Sequence, residues 1–529
     1  MEVLWYPQMN PSLLFAFYGV NTIPRYLRHL PAERTLLKDQ MPRSSDEDTS
    51  ESNSQQNRQK DQHVHIGQDD GGEKGEGRKQ ETGPVGFWNP ALKQVRLDVI
   101  KHWLLTTVIL STFILGILSL YWGALFRVEQ NLSALVVYVV DFDGQIAPYT
   151  DITPIVGPQI VSVAESLIAP SGSLGWGSLP ASAFNNDPMA VRQAVYNEKA
   201  WAAIIINANA TALLRDAVMN GNTTYDPMGA AQIVFVEARD ETTVGSYILP
   251  QLFSFQSMAT TIVGRAWAGQ VLAMASSNSA IMSNIQAAPQ AVNPAIGFST
   301  FNLRPFGPPV ATPAVTVGLI YLIILSFFSF GFYLPIHMKF VSPGHRPLHF
   351  YQLVIWRWCA TVTVYLFLSL FYSLISLAFQ IPFSTPPAPD IMVANPANAY
   401  HYGSFVVYRM INFVGMVALG LACENVAMFV GQPWMAFWLI FWVITNVATS
   451  FYSITLAPRF YYWGYAWPLH NLVNASRTIL FDTHSEIGLN FGVLFAWAAV
   501  NTVLFPLACW FMRWKTIRAQ KKEAQSKEQ

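Results

Sequence analysis

The chain has 529 residues, of which 52% are hydrophobic and only 12% charged. A soluble domain carries about 25% charged residues, and the deficit here is uneven: long stretches have no charge, while 43–81 is crowded with it. That is the pattern of membrane spans joined by polar segments, and the balance of 32 Lys plus Arg against 32 Asp plus Glu gives nucleic-acid binding no electrostatic support.

An apolar patch at 13–20 is too short to cross a bilayer, which takes about 20 residues. It lacks the basic flank and cleavage site of a signal peptide. Residues 41–86 are Ser, Gln, Gly, Asp, Glu and Lys with almost no apolar content, so the region 1–86 is expected to be a disordered or poorly ordered cytoplasmic segment. The run 72–79 lacks the Gly-Lys-Ser/Thr ending of a phosphate loop.

The first span is expected at 103–126, within a juxtamembrane and membrane segment 87–126. Lys93, Arg96 and Lys101 precede it, which puts its N-terminal side in the cytoplasm. The next strong span is 313–335, so 127–312 forms a large non-cytoplasmic domain. The segment 337–357 carries Lys339, Arg346 and Arg357 without an acid and reads as a cytoplasmic loop. Spans follow at 358–379, 404–430, 434–455 and 489–512. The Pro-rich loop 380–403 lies outside, and Gly431-Gln432-Pro433 makes a tight inner turn. The tail 513–529 is basic and cytoplasmic. Six spans within 313–512 and 87–126 leave both termini inside, and charge asymmetry and span parity agree. Cys359, Cys423 and Cys509 each lie in an apolar run and read as small buried hydrophobes.

The outer domain reads as α/β. Runs at 135–140, 203–206 and 232–237 have the β-branched continuity of buried strands. Asp187-Pro188 opens a helix to about 198, 211–219 reads as another helix, and 243–277 is helix-compatible apart from Pro250. Asn209 and Asn222 head glycosylation sequons.

The sharpest local signal is Val139-Val140-Asp141-Phe142-Asp143-Gly144. A strand ending in Asp-x-Asp is similar to the nucleophile strand of haloacid-dehalogenase-type phosphatases, where the first Asp attacks phosphorus. Gln145 stands where that pattern has Thr, and Lys199 is the only lysine of the domain. An EF-hand fails because Ile152 occupies the twelfth position. The competing reading is a strand-to-turn junction. His337, His345 and His349 share one segment without Cys or acid neighbours, so no metal site and no cofactor is expected.

Ionisable residues inside spans are functional candidates. Arg409 and Glu424 both lie in 404–430, about 22 Å apart along a helix, too far to pair. They either line a polar path or fix helix packing. The segment 456–487 crowds Pro458, Tyr461-Tyr462-Trp463-Gly464-Tyr465, Trp467, Pro468, Asn471 and Arg477 at an outer edge. It reads as an aromatic belt or as a re-entrant hairpin closing an outer mouth. Arg346 and Arg357, with an apolar stripe at Phe350, Leu353, Val354 and Trp356, make 337–357 the candidate partner loop or an interfacial helix.

The succession 135–144, Ser173-Leu174-Gly175-Trp176 and 194–203 leading into Ile204-Ile205-Ile206 resembles the outer domain of bacterial phage-infection-protein-like membrane proteins. Pro458…Trp467-Pro468…Asn471…Arg477 is similar to the loop before the last span of ABC-2-type permeases. Phe87-Trp88-Asn89-Pro90, with Val317-Gly318-Leu319-Ile320-Tyr321, resembles the fungal nitrosoguanidine-resistance proteins. The resemblance covers roughly 85–515. It implies an α-helical polytopic membrane protein of about six transmembrane helices, ABC-2 permease-like, with an α/β non-cytoplasmic domain between spans one and two. By the same resemblance the protein sits in the plasma membrane, with an endomembrane as the alternative. It either exports or confers resistance to hydrophobic toxicants, or controls lipid asymmetry. The other readings are a non-transporting scaffold or regulator and, least, an ecto-phosphatase; no enzyme is expected. No Walker A loop is present, so a separate ATPase or regulatory protein is the expected partner, beside the lipid bilayer and a homodimeric copy.

Overall fold

The computed structural model describes residues 84–168, 172–342, 344–383, 400–431 and 434–528. The apolar patch at 13–20, the polar region up to residue 83, most of the Pro-rich loop and the Gln432-Pro433 turn lie outside the described residues.

Asn89 Oδ1 accepts from Ala91 N at 2.9 Å, and Pro90 occupies the first position of a short 3-10 turn that opens helix α1 (Lys93–Gly123). Arg96 bonds back to the Phe87 carbonyl and stacks over Trp88. The α/β domain follows with β1 (Val136–Asp141), α2 (Val156–Ser166), β2 (Gly175–Pro180), α3 (Pro188–Tyr196), β3 (Ala202–Ile206), α4 (Ala210–Asn220) and β4 (Ala231–Phe235). A single turn, α5 (Glu241–Thr243), runs through a wide turn into α6 (Leu249–Ser277); α7 (Ser279–Ala287) and β5 (Phe298–Asn302) complete it.

The three strands expected from β-branched runs are present within one or two residues of their predicted ends. β2 and β5 are additional: their sequences, Gly-Trp-Gly-Ser-Leu-Pro and Phe-Ser-Thr-Phe-Asn, have no apolar run, and each is an edge strand of the order β2-β1-β3-β4-β5. β1 pairs in parallel with β2 and β3, β3 antiparallel with β4, and β4 in parallel with β5. β3 is buried along its whole length, as a central strand covered on both faces must be. Asp187 caps α3 as expected, accepting from Met189 N at 2.8 Å.

The membrane domain holds α8 (Thr312–Val315), α9 (Ile320–Met338), α10 (Phe350–Ala378), α11 (Ser404–Val430), α12 (Met435–Val447), α13 (Pro468–Phe481) and α14 (Ile487–Glu528). Five described helical stretches are long and apolar enough to cross a membrane: 90–134, 317–341, 350–378, 401–430 and 487–526. The span expected at 434–455 is different. α12 has 13 residues, about 20 Å, against a hydrocarbon core of about 30 Å. It ends where Asn446 receives Leu469 N on its side chain, at 3.1 Å, and Thr449 and Ser450 bond back to preceding carbonyls.

α11 is the axis of the bundle: 78% of its most apolar window is buried, against 0% for the stretch containing α1. α1 stands at the periphery, touching α12 through Phe113 on Phe437 at 4.6 Å. The Tyr461 hydroxyl donates to its Leu120 carbonyl at 2.8 Å. Close approach at the axis requires Gly420, where a Cβ would stand 2.6 Å from the Tyr365 ring and 2.7 Å from Ser326 Cβ.

The 337–357 loop is shorter than expected. Phe350 begins α10, and Leu353, Val354 and Arg357 are buried. The apolar stripe read as interfacial is the packing face of a membrane helix; Arg346 alone of the two basic candidates stays exposed on the connection. The basic tail extends α14 as helix. Lys515 Nζ reaches the Val430 carbonyl at 3.3 Å and Arg513 lies over the Phe350 ring, so the end of α11, the start of α10 and this part of α14 share one side of the bundle.

Candidate functional site

Asp141 and Asp143 occupy the end of β1 as a junction. Asp143 is 1% exposed. Its carboxylate accepts from Gly157 N at 3.0 Å, Thr211 N at 2.9 Å and Thr211 Oγ1 at 2.5 Å, while Thr211 Oγ1 accepts from Ile155 N and Val156 N. One carboxylate thus satisfies a free N–H in the first turn of each of α2 and α4. Asp141 accepts from Asp143 N at 2.9 Å and faces Gly157, where any Cβ would strike its oxygens.

Burial is the main reason the Asp141 carboxyl is raised to about 6, with the neighbouring Asp143 charge adding to it and the Asp143 N–H opposing it. The folded state therefore binds more protons than the unfolded one between about pH 4 and 6, and stability falls as pH rises through that window. Asp141→Asn should be more stable than wild type at pH 7 by about 1–2 kcal/mol, allowing for partial solvent access. The gap should close toward pH 4 in thermal unfolding of the purified protein. A variant equally destabilised at both pH values would contradict this assignment.

The sequons differ in setting. Asn209 stands at the N-terminus of α4, and the Thr211 of its sequon is buried. Asn222 Nδ2 bonds Asp216 and its Oδ1 accepts from Thr224.

The membrane charges form a second constellation. Arg409 and Glu424 are not brought together. Glu424 pairs instead with Arg357: Nη2 to Oε1 is 2.7 Å, and Thr361 Oγ1 donates to Oε2 at 3.1 Å. Arg357 is 1% and Glu424 3% exposed. The rest of the guanidinium rests against Met428 and Cys509 sulfurs and the Phe505 ring, and its buried Nε has no hydrogen-bond partner among the described residues. Arg357, assigned from sequence to a loop, is the buried counter-ion of a span.

Beyond the pair runs a polar seam. On α10, Arg357, Thr361, Tyr365, Ser369 and Ser373 are all buried and four residues apart, so they lie along one face. α11 answers with Tyr408, Asn412, Gly420 and Glu424, all buried. Asn412 Nδ2 donates to Ser373 Oγ at 3.1 Å, Ser376 and Tyr408 share a bond of 3.3 Å, and Asn425 donates to the Asn501 carbonyl at 2.9 Å. The four-residue spacing on α10 is a signal the sequence held, but beyond Arg357 each member is small or aromatic and does not stand out in an apolar run. A cavity of about 10 Å³ lies beside Glu424 against Ser329, Tyr333 and His337, room for a single water. His337 is buried and receives Trp356 Nε1 at 3.2 Å; His345 is held on the connection by the Lys339 carbonyl, so these histidines do not converge.

The segment 456–487 forms a hairpin of a 3-10 helix and a longer α-helix. Residues 459–466 form a 3-10 helix, Pro468 begins α13, and Trp467 Nε1 reaches Thr445 Oγ1 at 3.3 Å. Asn471 Nδ2 ties the Tyr465 and Trp467 carbonyls, fixing the corner. α13 is almost wholly buried, which makes it part of the core rather than a surface belt. Arg477 on α13 faces Asp240 of the α/β domain. No group of three or more His, Cys, Asp or Glu suited to a metal ion occurs among the described residues.

Residues 106–503 match a family described as "Protein of unknown function (DUF3533)". The chain is 27% identical over 434 residues to the uncharacterized endoplasmic reticulum membrane protein YJR015W of Saccharomyces cerevisiae, an alignment covering 79% of this chain and 82% of that protein. No solved structure matches.

Proposed function

The chain belongs to the DUF3533 family of proteins of unknown function, and from that premise we propose that it is a transport-type membrane protein. It moves an amphipathic or hydrophobic molecule along the α10–α11 seam. The observation that supports this is the Arg357–Glu424 pair at membrane depth, continued by polar side chains on two facing helices. Ionisable groups are expensive in a bilayer interior and mark pathways when they occur there. The likeness to nitrosoguanidine-resistance proteins and ABC-2 permeases supports resistance or lipid asymmetry as the physiological outcome. The yeast relative's name favours the endoplasmic reticulum membrane, with the plasma membrane as the alternative. A separate ATPase or regulator would dock at the connection bearing Arg346, and a homodimer is compatible with the peripheral α1.

One observation favours a scaffold or regulator instead: the space beside Glu424 is about 10 Å³, the size of one water and not a continuous path. We assign no catalysis to the Asp-x-Asp strand, since Asp143 already accepts three hydrogen bonds.

Purified protein reconstituted into vesicles, assayed for redistribution of a fluorescent lipid and a lipophilic dye, tests the proposal. Wild type should accelerate one of them at least tenfold over empty vesicles, and Glu424→Gln should remove most of that gain at equal reconstitution. Rates equal to empty vesicles for both probes, with and without ATP-supplemented cell extract, would favour the scaffold.

A further inference from the structure

The sheet of the α/β domain has two ends. At one, Ala202 pairs with Phe235 and Phe235 with Asn302; just past it Arg304 joins Asp482 at the end of α13, so this end meets the membrane domain. At the other, Ile206 pairs with Asp141 and Ala231, and Ala231 with Phe298. Beyond that remote end lies a depression of about 580 Å³, walled in part by Tyr149, Asn209, Leu213 and Asn222. Both sequon asparagines therefore stand one strand length farther from the membrane domain than the hairpin junction does.

Their third residues are placed oppositely. Transfer of an N-linked glycan requires the threonine hydroxyl of the sequon to be free for the transferase. Thr211 lies in the first turn of α4 and is fully buried. Its hydroxyl donates to Asp143 Oδ2 and accepts from Ile155 N and Val156 N, so it is consumed by the fold. Asn222 follows Gly221, whose left-handed φ of 68° ends α4, and Thr223 and Thr224 are exposed.

The Asn222 side chain is already held as a glycosylated asparagine could be. Its Oδ1 accepts from Thr224 N at 3.0 Å and Thr224 Oγ1 at 2.7 Å. Its Nδ2 donates to Asp216 Oδ2 at 2.9 Å. An amide nitrogen carries two hydrogens, so replacing one of them by a sugar leaves a donor for Asp216 and costs the loop none of these bonds.

We propose that Asn222 carries an N-linked glycan and that Asn209 does not. In the transfer, Asn222 Nδ2 bonds to C1 of the terminal sugar of a polyisoprenyl-pyrophosphate-linked oligosaccharide. The C1–O bond to phosphate breaks, the lipid pyrophosphate leaves, and the amide nitrogen gives up one proton. The sequon at 222 stays presented after the domain folds. The sequon at 209 is presented only until Thr211 meets Asp143, which precedes it in the chain and enters the compartment first. The assignment rests on the non-cytoplasmic placement of this domain expected from charge asymmetry, and it is independent of whether the protein transports. A glycan at Asn222 covers the remote end of the domain beside Tyr149 and Leu213 and leaves the hairpin junction open.

The test uses the full-length protein expressed in yeast and recovered from the membrane fraction, with gel mobility before and after peptide N-glycosidase and mass spectrometry of the glycopeptides. Wild type should carry one glycan, on the peptide containing Asn222. Asn222→Gln and Thr224→Ala should each abolish the mobility shift, and Thr224→Ser should retain it. Asn209→Gln should keep the glycan. Thr211→Ala should also keep it while lowering the thermal midpoint, because that hydroxyl serves the fold and not the transferase. Two glycans on wild type, loss of the shift in Asn209→Gln, or a wild type in the membrane fraction without any glycan would each overturn the assignment.

Discussion

Arg357→Ala will destabilise the membrane domain by about 3–5 kcal/mol, because it leaves Glu424 charged, buried and unpaired. Both partners are under 5% exposed, so no solvent screens the loss, and Thr361 alone remains to bond the carboxylate. Glu424→Gln will be milder: an amide oxygen still accepts from Arg357, although the arginine then lacks its counter-charge. The double substitution Arg357→Met with Glu424→Leu should recover most of the stability, since a buried pair is roughly balanced against well-packed apolar residues. Folded yield in detergent and thermal midpoint check the three proteins. If the double variant is as unstable as Arg357→Ala, the pair is not the thermodynamic unit described. If it is stable yet inactive in vesicles while wild type is active, the charges act in function and not merely in packing.

Arg304→Met will loosen the α/β domain from the hairpin by a comparable amount. Arg304 follows β5 and crosses to the end of α13. There Nη2 meets Asp482 Oδ2 at 2.9 Å and Nε meets the Asp482 carbonyl at 2.9 Å, under the Tyr196 ring. The arginine is buried, so removing it takes the charged, forked partner from Asp482 at a domain junction, at about 3–5 kcal/mol. Arg304→Lys keeps the charge but not the fork and should lose about half of that. Amide hydrogen exchange across 456–486 reads the effect. Methionine should raise exchange there and in β5 while leaving β1 and β3 protected. Unchanged exchange in the hairpin would show that apolar contacts alone hold the junction.

Particular elements explain what was legible. The three interior strands announced themselves because a strand covered on both faces must be apolar throughout, as Ala202–Ile206 is. The edge strands Gly175–Pro180 and Phe298–Asn302 did not, because an edge needs only backbone pairing with one neighbour. α12 was read as a full span because hydropathy continues past Val447; its end is set by Asn446 turning its side chain to Leu469, twenty-three residues later. Glu424 was marked as a candidate, since a carboxylate in an apolar run stands out. Its partner was missed because a basic residue near a span boundary looks like a loop residue until the helix start is known.

Composition, charge asymmetry and hydropathy by themselves determined a polytopic helical membrane protein with an α/β domain after its first span. These are properties of windows of consecutive residues, and the bilayer reads them as such. Only the tertiary structure decided that Arg357 meets Glu424, that the Asp-x-Asp strand end caps two helices, and that Asp143 holds the Thr211 of one sequon inside while the Thr224 of the other stays exposed. Those partners lie tens of residues apart, and which one a buried polar group finds depends on helix rotation and crossing, geometry that no local run of sequence encodes.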